Sequence, residues 1–331
     1  MRILNLVLMA VFLLVNPLFE FILAQGKVHK LANDHYEIIF DDEAQDSISI
    51  LQVTDLHLGN IGCWKKDFTC VRRIKKLVKM YQPDMIAITG DLFTGNKDGR
   101  EASVVFAAQF FDDLGVPWVY VHGNHDPEGG TGRETIRRIF ADSEWGLLGF
   151  HYVEHGSVKH DYQVDLKLIN AKRPAWEIYA FDSGSEPGNK SIKADQLLWY
   201  QKKSQASKQL HGQMIPAISI FHIPLKQYEM LWLDDSLEKK GFFHEKVCYE
   251  EDDGRVYEAF LKQGNIKACF CGHDHDNNYW GKYHGGILLV YGHVSGDTGY
   301  HRYWPPGAKF IKLAVDGGQI SIKDVVLLND I

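Results

Sequence analysis

Five short polar clusters in this 331-residue chain carry oxygen and nitrogen donors at spacings that suit metal chemistry. They are Asp55-Leu56-His57, Gly90-Asp91, Gly123-Asn124-His125-Asp126, the single His222, and Gly272-His273-Asp274-His275. In an extended turn the side chains of Asp55 and His57 fall on one side, as do those of His273 and His275, so each pair can grip one cation or straddle two. The glycines before Asp91, Asn124 and His273 let the backbone turn sharply and approach an ion. Asp, Asn and His without Cys suit hard to borderline cations such as iron, zinc or manganese. Taken singly, each cluster has an ordinary reading as a turn, a capped loop or a histidine packed beside the core. Five in this order, each following its own apolar run, form a pattern.

Those apolar runs are the elements that must hold the donors. Ser47–Val53 reads as a strand ending at Thr54-Asp55, Met85–Thr89 as a buried strand ending at Gly90-Asp91, and Trp118–Val121 as a strand ending at Gly123-Asn124. Further strands are expected at Ala217–Phe221, Ile266–Phe270 and Ile287–Tyr291, with Phe310–Ala314 and Gln319–Leu327 as a closing hairpin. Phe68, Val71, Ile74, Leu77 and Val78 recur at helical spacing from Asp67 to Tyr81, and Pro83 stops the run. Glu101–Leu114 reads as an apolar helix closed by Gly115. The Lys and Arg residues between Lys65 and Lys79 read as a solvated helix face rather than a polyanion site. Strands and helices alternate, so the class is layered α/β, where ligands gather beyond the carboxyl ends of strands.

Composition narrows the partners. Apolar residues make up 45% and charged residues 24%, which excludes disorder, collagen and coiled coil. The formal charge of −7 argues against a general nucleic-acid or anionic-membrane binder. Residues 1–24 read as a signal peptide, with Arg2, an apolar middle and Ala24 at the cleavage point; an uncleaved anchor is the alternative, disfavoured by Pro17 and Glu20. Residues 25–46 are expected to lead into a single domain spanning 47–331. The expected location is the secretory pathway, with secretion or a lysosomal or vacuolar lumen as its end. Asn189-Lys190-Ser191 is a candidate glycosylation acceptor. Of the five cysteines, Cys63, Cys70 and Cys248 could form bridges in an oxidising lumen, whereas Cys269 and Cys271 share one face of a strand and read as buried small hydrophobes.

The ordered set resembles the signature of the calcineurin-like metallophosphoesterase superfamily, D-x-H, G-D, G-N-H-[DE], H and G-H-x-H, over roughly residues 47 to 300. The resemblance implies a four-layer α/β/β/α sandwich of two mixed sheets flanked by helices, with a metal site at the strand carboxyl ends. It implies two metal ions, Asp91 bridging them, Asp55, His57 and His275 completing one site, and Asn124, His222 and His273 the other. His125 matches the general acid or leaving-group stabiliser and is not expected to be a ligand. The contexts Phe221-His222-Ile223-Pro224-Leu225 and Gly272 to Asn277, with the tail Thr298-Gly299-Tyr300 to Ala308, are similar to the small purple-acid-phosphatase-like branch.

One position departs from the pattern: Thr94 stands where purple acid phosphatases have a metal-binding tyrosine and protein phosphatases a histidine-orienting aspartate. Asp126 could orient His125 instead, or cap its loop. The implied activity is hydrolysis of phosphate esters by in-line attack of a metal-bridging hydroxide, with a phosphomonoesterase expected, a phosphodiesterase or nuclease as alternative, and a non-catalytic binding protein as a third reading. Arg302 and His293 are candidate substrate contacts, Arg302 as a bidentate phosphate clamp. The expected partner is a phosphate-ester substrate, with no nucleic acid unless the nuclease alternative holds, and no membrane span once the signal is removed.

Overall fold

The computed structural model describes residues 26–59, 63–94, 100–128, 132–153, 157–185 and 190–326. The expected signal peptide and Asn189 lie outside them. Two large mixed sheets form the centre. The nine-stranded sheet has the order β1 (Gly26–Ala32), β2 (His35–Phe40), β9 (Tyr162–Leu168), β10 (Trp176–Ala180), β11 (Ala217–Ile220), β13 (Ile266–Cys271), β15 (Leu288–Tyr291), β14 (Asn277–Lys282) and β12 (Lys239–Phe243). The six-stranded sheet has the order β17 (Ile320–Val325), β16 (Ala308–Ala314), β3 (Ser47–Val53), β4 (Met85–Ile88), β5 (Trp118–Tyr120) and β6 (Gly146–Leu147). A small hairpin, β7 (His151–Tyr152) with β8 (Val158–Lys159), stands apart from both.

Side-chain alternation explains the layering. In β10, β11, β13 and β15, Ile178, Ile218, Ile220, Ala268, Phe270 and Val290 join the core shared with the six-stranded sheet. Their neighbours Tyr179, Ala217, Cys269, Cys271, Leu289 and Tyr291 point the other way, into a second core. That second core is closed by Leu197 and Tyr200 of α4 (Ala194–His211), Tyr228 and Leu231 of α5 (Lys226–Leu233), and Val256 and Phe260 of α6 (Arg255–Gln263). On the far side of the six-stranded sheet, α1 (Trp64–Tyr81) buries Cys70, Val71, Ile74, Leu77 and Val78, the stripe its periodicity predicts, and leaves Lys65, Lys66, Arg72, Lys75, Lys76 and Lys79 exposed. With α2 (Arg100–Asp112) and α3 (Gly132–Phe140) the result is the expected four-layer α/β/β/α arrangement.

Three details differ from the sequence expectation. Residues 26–40 are not a mere lead-in: β1 and β2 pair antiparallel, and β2 adds parallel to β9, so Tyr36, Ile38 and Phe40 belong to the main core. All five cysteines are unbridged, so Cys63 and Cys70 close no loop. The closing hairpin forms as expected, but β16 also pairs antiparallel with β3, which places the last strands beside the first strand of the site.

Candidate metal centre

Every donor cluster sits where its strand ends. Strands β3, β4 and β5 run parallel in one sheet and deliver Asp55 and His57, then Asp91, then Asn124 and His125. Strands β11 and β13 run parallel in the other and deliver His222, then His273 and His275. The ladder between β3 and β4 continues past the strands: Asp55 N–H donates to Gly90 O at 3.1 Å, His57 N–H to Asp91 O at 3.0 Å and Leu58 N–H to Leu92 O at 2.9 Å. This continued pairing holds side chains that free loops would not hold.

Backbone strain concentrates here. Asp55, His57, Asp91 and His273 have φ of 54°, 50°, 48° and 85°, left-handed values that cost non-glycine residues about 1–3 kcal/mol each. Two glycines permit the close approach. Gly90 has φ of 93°, and a Cβ there would stand 2.5 Å from the His222 ring; a Cβ on Gly123 would stand 2.1 Å from an Asp91 carboxylate oxygen.

Two triads result. Asp55, His57 and His275 bring one ligand atom each within 4.8 Å of one another, as do Asp91, His222 and His273. His57 Nε2 and His275 Nε2 are 3.1 Å apart, and His275 Nε2 is 3.4 Å from Asp55 Oδ1. In the second triad His222 Nε2 lies 3.2 Å from Asp91 Oδ2 and 3.1 Å from Asn124 Oδ1. The same Asp91 oxygen is 3.9 Å from His57 Nε2, so it faces both groups, while its other oxygen accepts His125 N–H at 2.8 Å. Asn124 is thus placed at the second group beside Asp91, His222 and His273.

The ring tautomers suit a cation. His222 Nδ1–H donates to Thr89 O at 2.9 Å and His275 Nδ1–H to Tyr300 O at 2.7 Å. Carbonyl oxygens only accept, so in each neutral ring Nε2 is the lone pair turned inward, the arrangement that outer partners impose on metal-binding histidines. At their separation of 3.1 Å, His57 Nε2 and His275 Nε2 would be able to hold one cation together.

Electrostatics point the same way. Burial alone would raise both aspartates, yet His275 and His222 hold Asp55 down at about 2, and His222 and His57 drive Asp91 well below the carboxylate range. Burial lowers His57 to about 4 and His273 to about 3. His222 goes the other way: against burial, Asp91 lifts it to about 10, and Asp55 likewise raises His275. Two buried carboxylates therefore draw positive charge into the site, a demand that bound cations would meet.

A cavity of about 360 Å³ opens over the triads, lined by His57, Asp91, Thr94, His125, His273, His275 and Tyr300 among others. Tyr300 stacks on His275 with ring centroids 4.2 Å apart. Two expected substrate contacts do not line it. Arg302 pairs through Nε with the fully buried carboxylate of Asp276 and lies 3.6 Å from Glu245, because a carboxylate without access to water requires a counter-charge. His293 is buried between Asn278 Nδ2 at 3.1 Å and Pro305 O at 2.9 Å. Asp126 is a brace: its carboxylate accepts Phe93 N–H at 2.8 Å and Gly123 N–H at 2.6 Å. Beside the His125 ring, whose centroid is 5.5 Å from that of His57, lies Glu128, with Oε1 2.9 Å from Nδ1. Sequence reasoning passed over it, although a spacing of three across a tight turn was a usable signal.

A family model described as calcineurin-like phosphoesterase matches residues 48–277, a span that begins at β3 and reaches just past His275. The chain belongs to that family. Among curated relatives, the probable inactive purple acid phosphatase 28 of Arabidopsis thaliana is 28% identical, covering 92% of this chain and 84% of its own. Phosphatase DCR2 of Saccharomyces cerevisiae is 24% identical, covering 71% of this chain and 45% of its own. A solved structure of a dimetal phosphatase from Danio rerio superposes with a TM-score of 0.54 at 11% identity, over 85% of this chain and all of that one, so the fold is shared. Among the described residues of this family member, no helix is long and apolar enough to cross a membrane.

Proposed function

We propose that this chain is a dinuclear metal-dependent phosphoesterase acting on phosphate monoesters. The observation that carries the reading is the convergence of two triads from two sheets, with Asp91 facing both and Asn124 completing the second. Asp55, His57, His275 and Asp91 would hold one cation, and Asp91, Asn124, His222 and His273 the other. Iron, zinc and manganese all suit these donors. Bound there, the two ions would supply Lewis acidity toward the phosphoryl oxygens and a nucleophile from water at ordinary pH.

The chain's own residues do the rest. The ladder joining β3 to β4 fixes the ligands before substrate arrives, so little reorganisation is needed at the moment of reaction. His125 stands at the cavity wall with its backbone pinned to Asp91, and donates a proton to the departing oxygen. Entry into the secretory pathway, removal of residues 1–24 and a sugar at Asn189 belong to the same proposal and rest on the sequence alone.

A second reading has its own support. Three Arabidopsis relatives carry the words "probable inactive" in their names, and Thr94 brings to the cavity neither a tyrosine ring nor a carboxylate. One experiment separates the readings: metal analysis of the purified chain, together with turnover of chromogenic phosphate mono- and diesters, with His222→Ala as control. The proposal expects close to two metals per chain and chelator-sensitive monoester cleavage, both lost in the variant. Faster diester than monoester turnover would move the assignment to a phosphodiesterase. Metal at both sites with neither ester cleaved would favour a binding protein.

A further inference from the structure

We infer that Glu128 is the positioning residue for His125, supplying from within the same loop the carboxylate that position 94 does not provide. This rests on the reading of His125 as the proton donor to the leaving group. Two contacts independent of each other bring the pair together. Glu128 N–H donates to His125 O at 3.1 Å, closing a turn, and Glu128 Oε1 lies 2.9 Å from His125 Nδ1. The turn is anchored at three points: His125 N–H on Asp91, and the Asp126 carboxylate on Phe93 N–H and Gly123 N–H. Its backbone is therefore set by Asp91 and the β4 loop, and Pro127 restricts the turn further.

The geometry assigns the two ring nitrogens different tasks. A carboxylate only accepts, so Nδ1 keeps its proton against Glu128, and the proton given up in the acid step is the one on Nε2. In the acid step the Nε2–H proton passes to the leaving oxygen as the P–O bond breaks and its electron pair goes to that oxygen. The ring is then neutral with Nδ1–H still held by Glu128, so no rotation or tautomer change is needed before Nε2 is reprotonated from water. Both side chains are about half exposed, so the pair adds little to stability; what it supplies is orientation.

Leaving-group dependence tests this in the metal-loaded protein. A p-nitrophenolate departs without help, whereas an alkoxide needs the proton, so a defect in the acid appears on alkyl phosphates and fades on p-nitrophenyl phosphate. Glu128→Ala is expected to lower kcat on an alkyl phosphate by about 10-fold or more, with KM, metal content and p-nitrophenyl turnover nearly unchanged. Glu128→Gln keeps an acceptor oxygen and is expected to recover part of that loss. His125→Ala is the reference and should show the same split in larger measure. A reading independent of turnover comes from nitrogen-15 shifts of the neutral His125 ring: a single tautomer protonated at Nδ1 in the parent, a mixture in Glu128→Ala. Equal losses on both esters, loss of metal, or an unchanged tautomer in Glu128→Ala would overturn the assignment to Glu128. If His125→Ala itself shows no split, the acid role of His125 is what fails, and the inference falls with it.

Discussion

The two ends of the sandwich each carry an acidic cavity, and only the one at the strand carboxyl ends gathers the two donor triads. At the amino ends of β3 and β4, a cavity of about 630 Å³ is lined by Asp41, Asp42, Gln45, Ser47, Ser49, Asp84 and Lys312. At the carboxyl ends the cavity over the triads is smaller, about 360 Å³. Asp84 spends its acceptor capacity on the scaffold, taking Ser49 N–H at 2.6 Å, Ser49 Oγ–H at 2.7 Å and Gln45 Nε2–H at 2.9 Å. Asp55 and Asp91 instead face imidazole nitrogens. Four of the seven non-glycine residues with positive φ among the described residues are proposed ligands. Size and acidity are shared or reversed between the two ends; donor chemistry and stored backbone strain are what separate them.

That contrast can be broken or sharpened by substitution. The largest effect is expected from Asp91→Ala, which removes the carboxylate facing both triads: metal analysis should show loss of bound ions, and turnover should drop on the order of 10³-fold or more. Retained metal and activity would dissolve the distinction between the two ends. Asp126→Ala should come next, since it strands two buried N–H donors; a loss of about 1–3 kcal/mol in chemical denaturation, with reduced turnover from a slackened His125 loop, is expected. At the opposite end, Asp84→Ala should cost a similar 1–3 kcal/mol or so and leave turnover of the remaining folded protein unchanged.

A smaller effect reads out in pH. Glu177, on β10, is pushed up to about 7 by burial, against the opposing hydrogen bonds from Ser207 and Tyr179. Its folded value lies above the unfolded one near 4.5, so the fold holds a proton that the unfolded chain has lost. The stabilisation is complete below about pH 4.5 and declines as pH rises through 7. Glu177→Gln should therefore flatten the pH dependence of the melting temperature between those values, as differential scanning fluorimetry can record. Least of all, Lys312→Ala at the amino-end cavity should change stability by no more than about 0.5 kcal/mol.

How far the sequence could be read follows from the same physics. Strands β3, β4, β5, β11, β13 and β15 were legible because buried parallel strands are continuous apolar runs, and the polar clusters that end the first five hold the proposed ligands. Helix α4 escaped because its pattern is inverted in places: Gln196, Ser204 and Ser207 are buried while Leu198 and Leu210 are exposed. Residues 26–40 escaped for a different reason, since a short alternation such as Tyr36, Ile38 and Phe40 cannot announce which sheet it will join. Around the site, ligand types were legible and neighbours were not. Arg302 looked like a phosphate clamp until the buried Asp276 beside it came into view, and that partner lies 26 residues away in sequence.

The pairing of β3 with β16 has a consequence for biosynthesis. Chain emerges from the ribosome amino end first, so β3, bearing Asp55 and His57 at its tip, is made roughly 255 residues before the strand that closes its open edge. His273 and His275 also arrive late. Until β16 is released, a long apolar strand edge stays uncovered, and such edges are the ones that invite wrong pairing. Metal capture thus waits for His275 and edge closure for β16, and a chain interrupted shortly before β16 would carry every proposed ligand yet lack the strand that holds two of them in register.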